Sequence, residues 1–193
     1  MIKKRFTSPK LDISRESLKL YSFNLSDPAP EIRPKVEVEV FTRDRPLELG
    51  ISQASIIEQR ISQGDKIFVA CHQLKPVAYL FAATKNCWVN EIQDWFIVES
   101  GEVYLYNAFT TAEHRGNHIY SFLISNAAKF FKGLAYSYAL IFTTASNIRS
   151  IRGIERTGFQ CYETIHFYNL FGLRIWNYKP RSNDVKSRFS NEI

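Results

Sequence analysis

The chain has no long apolar run. Nothing in its 193 residues approaches the ~18 consecutive apolar positions that a membrane-spanning helix needs. It is also poor in cysteine. Cys71, Cys87 and Cys161 are too few and too scattered to frame a disulfide-knit domain or a tetrahedral zinc site, so no metal is expected and a reducing, cytoplasmic home fits. The first ten residues are charged but lack the apolar stretch of a secretory signal. Neither a repeat nor a low-complexity tract interrupts the chain, and one folded unit is expected for this length.

Aromatic residues are plentiful. Fifteen Phe, ten Tyr and three Trp stand in a chain that is 45% hydrophobic, which excludes a disordered polymer and predicts aromatic-lined walls. The net charge of +6 sits at the ends. Residues 1–35 hold eight Lys/Arg against four Asp/Glu, and residues 179–193 hold four against two, so the segment 36–178 is neutral. A folded reader of nucleic acid carries its basic patch on the ordered domain, so nucleic acid is not expected as a partner. The basic ends read as solvated tails.

Residues 1–35, with Pro9, Pro28, Pro30 and Pro34, read as an arm with a short helix near Ser14 to Leu20. Lys35 to Phe41 alternates apolar and charged residues and predicts a half-buried strand. Glu48 to Gln63 has helical spacing and ends at Gly64-Asp65. Lys66 to Cys71 and Val77 to Ala83 read as a hairpin pair, and Trp95 to Val98 as extended structure. Tyr138 to Thr144 reads as a central strand and Asn147 to Thr157 as a helix closed by Gly158. Phe159 to Asn169 and Leu173 to Tyr178 read as a last hairpin. The order predicts one mixed α/β layer fold.

Residues 113 to 124 join a strand-like run, Glu102 to Thr111, to a helix-like run, Gly116 to Lys132. A strand that stops at an Arg-Gly turn and restarts as a helix gathers unpaired N–H groups and the positive end of the helix dipole. That geometry suits a phosphate or pyrophosphate.

In element order and in two motifs the chain resembles the GNAT N-acyltransferase superfamily, over about Val36 to Tyr178. The family's turn motif is Gln/Arg-x-x-Gly-x-Gly/Ala. Here it reads Glu113-His114-Arg115-Gly116-Asn117-His118, with the Arg-Gly pair kept and His118 in place of a small residue. The family's Asn-x-x-Ala and Glu-Lys-x-Gly-Phe correspond to Asn147-Ile-Arg-Ser150 and Glu155-Arg-Thr-Gly158-Phe159. The resemblance implies an α/β fold with a mixed, mostly antiparallel central sheet flanked by helices. It divides the chain into an arm (1–35), an acyltransferase domain (36–178) and a basic tail (179–193).

The resemblance further implies acetyl-CoA as co-substrate and an amine-bearing small molecule or peptide as acceptor, with direct attack on the thioester. Arg115, Gly116, Asn117, His118, Ile119 and Tyr120 would cradle the pyrophosphate. The backbone of Phe109, Thr110 and Thr111 would pair with the pantetheine arm, and Asn147 would hold that arm from the second helix. Glu102, eleven residues before Glu113, would be the general base, as in the family's histone-modifying branch, with Asp94 and Glu99 as weaker candidates. His72 and His166 read as edge or wall residues. The tyrosine that often precedes Glu155 as general acid is replaced by Ile154. Trp88, Trp95, Tyr104, Tyr106, Tyr162 and Tyr168 are candidates for an acceptor wall or for core. A longer acyl-CoA, an acyl carrier protein or an aminoacyl-tRNA as donor stays open. So do a non-catalytic acyl-CoA-binding module and a homodimer.

Overall fold

The computed structural model describes residues 13–43, 54–171, 173–180 and 188–189. Its central element is an eight-stranded sheet. In chain order the strands are β1 (Ile13–Asn24), β2 (Glu39–Arg43), β3 (Lys66–His72), β4 (Lys75–Ala83), β7 (Glu102–Thr110), β8 (Tyr138–Thr144), β9 (Gln160–Leu170) and β10 (Leu173–Pro180). They lie side by side as β10-β9-β1-β8-β7-β4-β3-β2. Every neighbouring pair is antiparallel except β7 and β8, which run parallel. Two short strands, β5 (Cys87–Val89) and β6 (Asp94–Phe96), form a separate hairpin. The helices are α1 (Ala54–Ser62), α2 (Ile119–Gly133) and α3 (Ile148–Glu155). The expected mixed, mostly antiparallel α/β architecture is the one observed.

The two faces of the sheet are covered differently. On one, α2 and α3 set Ile119, Leu123, Ala127, Ile151 and Ile154 against Val103, Leu105 and Ala139. On the other, the β5–β6 hairpin brings Val89, Ile92 and Phe96 onto Tyr104 and Leu140, and α1 brings Ile57 onto Ile67 and Phe81. At ~25 cal/mol per Å² of apolar surface removed from water, each of these large side chains contributes ~1.5–3 kcal/mol.

The expected arm is corrected over residues 13–24. They form β1, which lies between β8 and β9 and pairs with both. Ser14 to Leu20 is therefore strand, not helix. Its buried apolar residues fall at 18, 20, 21 and 23. Leu18 and Leu20 face the hairpin side, while Tyr21 and Phe23 face α2 and α3. A strand that changes its buried face midway shows neither a period of two nor one of 3.6. β9 inserts an extra residue, Tyr162, where its register with β1 shifts between Leu20 and Tyr21.

The C-terminal tail is corrected too. Strand β10 runs on to Pro180, and Arg188 and Phe189 are buried, Phe189 completely. Phe189 bridges to Phe96, and Ile97 N donates to the Arg188 carbonyl at 2.6 Å. The alternating run Lys35 to Phe41 enters β2 only from Glu39, although Val36, Val38 and Val40 all pack on the core. The start of the expected helix Glu48 to Gln63 and the turn residue Gly172 lie outside the described residues.

Candidate active site

β7 and β8 pair in register only from Glu102/Tyr138 to Leu105/Ile141. Beyond those residues they part. On its other side β7 carries a bulge against β4: Tyr79 pairs with Phe109 but Phe81 with Tyr106, so Asn107 and Ala108 stand opposite Leu80 alone. Asn107 takes a left-handed backbone (φ +47°), a conformation asparagine tolerates better than most side chains. The bulge bends β7 away from β8, and a cleft of about 1180 Å³ opens between them. It runs through the sheet. One end is walled by α2 and α3, the other by Tyr104, Tyr106, Cys87, Trp88 and Arg60.

At the α2 end, β7 gives way to a single 3₁₀ turn, Ala112–His114. Gly116 follows at φ +82° and His118 at φ +63°. His118 caps α2 without a side-chain hydrogen bond, so the first-turn amides of Ile119, Tyr120 and Ser121 are left uncapped by it. The backbone at His118 is left-handed, which costs a side-chain-bearing residue ~1–2 kcal/mol. A Cβ added at Gly116 would meet no atom within 4 Å, so that position opens on space. Desolvation, with help from the nearby charges of Arg156 and Lys35, holds the His118 imidazole below the usual histidine range. Asn117 is structural as well as cleft-adjacent: its carbonyl accepts from Lys35 N at 3.0 Å and its amide donates to the His114 carbonyl at 3.3 Å.

Of the strand backbone expected to face a ligand, Thr111 is corrected. Its N–H donates to the Val77 carbonyl at 2.9 Å. Alternation then turns Thr110 to the open edge, where its carbonyl takes Arg115 Nε at 3.0 Å. Phe109 and Thr110 both line the cleft.

Asn147 also lines the cleft, and its side chain caps α3 by accepting from Ser150 N at 3.1 Å. Three residues that sequence reasoning missed lie on α3 and just past its end. Arg149, Arg152 and Arg156 recur at helical spacing and all line the cleft. With Arg60 and Arg115 they set five guanidiniums against one carboxylate, Glu91, among the described residues of the cleft lining. Their three- and four-residue spacing was the available signal.

Tyr120 is a wall residue. Its hydroxyl lies 3.1 Å from Ser150 Oγ, and burial pushes its phenol up to about 12. A Cβ at Gly153 would meet its ring at 2.6 Å, which explains a glycine inside α3. Ile154, where the family often has tyrosine, is fully buried.

Glu102 is the principal correction. It sits at the closed end of the β7–β8 pair, outside the cleft lining. Its Oε1 accepts from Arg188 Nη2 at 2.6 Å and its Oε2 from Glu99 N at 3.1 Å. A carboxylate held in a buried ion pair away from the cleft has no path to an acceptor amine. The weaker candidates Asp94 and Glu99 are also outside the lining. His166 hydrogen-bonds Ser17, and His72 the Glu37 carbonyl.

At the other end of the cleft, the Tyr106 hydroxyl donates to Asp65, a buried carboxylate. Burial first, and then Asp65, push the Tyr106 phenol far above its ordinary range. The Cys87 thiol is likewise pushed up to about 11, chiefly by burial, so it stands as a neutral thiol rather than a nucleophile. Among the described residues no group of His, Cys, Asp and Glu could hold a metal ion.

No protein-family model matches the chain, and no curated protein matches it in sequence. Solved structures do match. A GNAT-family acetyltransferase from Colwellia psychrerythraea superimposes with a TM-score of 0.54 at 12% identity, over 88% of this chain and 57% of its own. A GCN5-related N-acetyltransferase from Sphaerobacter thermophilus gives 0.52 at 10% identity, over 89% and 53%. A tandem GNAT protein from the clavulanic acid biosynthesis pathway gives 0.51 at 11%, over 82% and 54%. The chain thus spans a little over half the length of these three structures. With its parted β7 and β8, its bulge and its strand–turn–helix crossing, the chain has the GNAT acetyltransferase fold.

Proposed function

We propose that the chain is an N-acyltransferase that moves an acetyl group from acetyl-CoA to a primary amine by direct attack on the thioester. The observation that carries this reading is the cleft where β7 and β8 part, with the uncapped start of α2 and the four arginines Arg115, Arg149, Arg152 and Arg156 on its walls. Those residues fit the donor: a phosphate-rich ligand finds open amides and unopposed positive charge at one end. A slot with an exposed strand edge leads on from there. Acetyl-CoA supplies an activated acyl group on a good leaving thiolate. The chain supplies position, charge and a route for a proton.

Arg115 and the amides from Gly116 to Tyr120 hold the pyrophosphate, with Arg149, Arg152 and Arg156 facing the same anion from α3. Asn147 and the open edge at Thr110 line the arm. The amides of the bulge at Asn107 and Ala108 are the donors nearest to hand for a carbonyl oxygen. The neutral Cys87 favours direct attack over an acyl-cysteine. With Glu102 out of reach, the amine proton passes to the Tyr106 oxygen as the Tyr106 proton moves to Asp65. Burial keeps Tyr106 protonated, so it works as a relay and not as a phenolate.

Transfer of labelled acetyl groups from acetyl-CoA to a panel of primary amines tests the reading. Wild-type protein should label at least one class of amine. Tyr106→Phe should lower turnover by ~10²-fold or more with donor affinity unchanged. A comparable loss in Glu91→Gln, with none in Tyr106→Phe, would move the proton acceptor to Glu91. No labelled amine would contradict the reading.

A further inference from the structure

Arg60 stands in the last turn of α1 and forms part of the cleft wall at the end away from α2. Its guanidinium carbon lies 4.8 Å from the centroid of the Tyr106 ring and 5.1 Å from that of Phe81. The two rings are 5.8 Å apart and tilted by 40°. They support the flat cation from the protein side and fix its position.

Arg60 has no anionic partner among the described residues. Its Nη1 is buried with no hydrogen-bond partner. Asp65 is the obvious candidate, because the Asp65 N–H is tied to the Arg60 carbonyl at 3.1 Å, yet its carboxylate accepts from Tyr106 instead. A buried donor without a partner costs ~1–3 kcal/mol, and more when it is charged. A cation kept in place at that cost, on a cleft wall, is set up for an anion that arrives from outside. The guanidinium fork matches a carboxylate with two parallel hydrogen bonds.

We propose that Arg60 is the anchor for a carboxylate on the acceptor, so that the acceptor class is an amino acid or a similar amine bearing a carboxylate. This rests on the acyltransferase reading and names its second substrate class. Arg60 and Tyr106 are in contact, so a carboxylate held by Arg60 leaves the amine of the same small molecule beside the hydroxyl that takes its proton. Glu91, the one carboxylate among the described residues of the lining, is there to draw in an ammonium group. A simple alkylamine would leave Arg60 unmatched. A site built around a fixed polar partner rejects analogues that lack it.

The test pairs the standard amino acids with their amides. Binding of each to the donor-free full chain is measured by calorimetry, and acetylation of each is measured with acetyl-CoA. Wild type should prefer at least one free acid over its amide by about tenfold or more. Arg60→Met, which keeps the packing over both rings, should remove that preference and leave the amide within about twofold of wild type. Arg60→Lys keeps the charge without the fork and should recover only part of it. Melting curves check that each variant folds, and acetyl-CoA affinity should be unchanged in both. No free acid preferred over its amide by wild type would overturn the proposal, as would equal losses on acid and amide in Arg60→Met. Dependence on Arg60 with neutral amines and a succinyl donor would also overturn it, by moving the carboxylate to the acyl side. An acid that binds through Arg60 while acetyl-CoA fails to bind would leave the anchor standing and sink the acyltransferase reading instead.

Discussion

Arg188 Nη2 lies 2.6 Å from Glu102 Oε1, with both side chains under a tenth exposed. A residue five positions before Ile193 is thereby joined to the first residue of β7. The same arginine reaches Glu99 Oε1 at 3.3 Å. Removing one member of a buried ion pair leaves the other charge unmatched, at a cost of ~3–5 kcal/mol. Glu102→Gln and Arg188→Met should each lower the melting temperature, and the double variant should lose less than the sum of the two. Glu102→Gln should leave acetyl-CoA affinity intact. A stable Glu102→Gln protein with lost turnover would restore Glu102 as the base.

The strand β1 makes residues 13–24, which lie before residue 36, part of the fold. A fragment of residues 36–178 lacks the strand between β8 and β9, as well as Arg188 and Phe189. Its circular dichroism should show no cooperative melt. A cooperative melt near that of the full chain would contradict the placement of β1 inside the sheet.

The turn before α2 contains two left-handed residues, and they should respond oppositely. Gly116→Val forces a β-branched side chain to φ +82° and crowds the phosphate approach, so donor affinity should fall by about tenfold or more. His118→Gly relieves a side chain at φ +63° and should raise stability by ~1 kcal/mol while keeping donor affinity. The pH dependence follows from His118 and from His166, which desolvation also holds low. The unfolded chain binds these protons more readily than the folded one. Stability should therefore decline as pH falls below the ordinary histidine range, and the decline should be shallower in His118→Gly. A tenfold loss of affinity in His118→Gly would make the imidazole a phosphate ligand.

The elements that bury one face, or lie wholly inside, were the legible ones. Tyr138 to Thr144 is a short β-rich run and coincides with β8. The run after the Arg-Gly turn repeats apolar residues at helical steps and became α2. β1 was illegible because its burial crosses from one face of the sheet to the other. The hairpin β5–β6 was read only in part, as two strands of three residues have almost no period. In the site, the turn was readable from local spacing, and so was Asn147 as the start of α3. Glu102 was misassigned because spacing along β7 does not say at which end the neighbouring strand departs. That depends on the bulge at Asn107, a pairing with β4. Arg60 carried no local signal at all. Its meaning comes from Phe81 and Tyr106, which lie on two other strands, and from an aspartate that turns away.

Calorimetric titration of the full chain with acetyl-CoA, beside the same titration of Arg152→Gln and Gly116→Val, tests the donor site most directly. The predicted result is one-to-one binding by wild type, weakened in both variants. A melting point raised as expected for ~2.7 kcal/mol at ~100 times the dissociation constant should accompany it. Absence of heat and of any melting shift with acetyl-CoA and with longer acyl-CoA would contradict the donor assignment, and with it the account of the cleft.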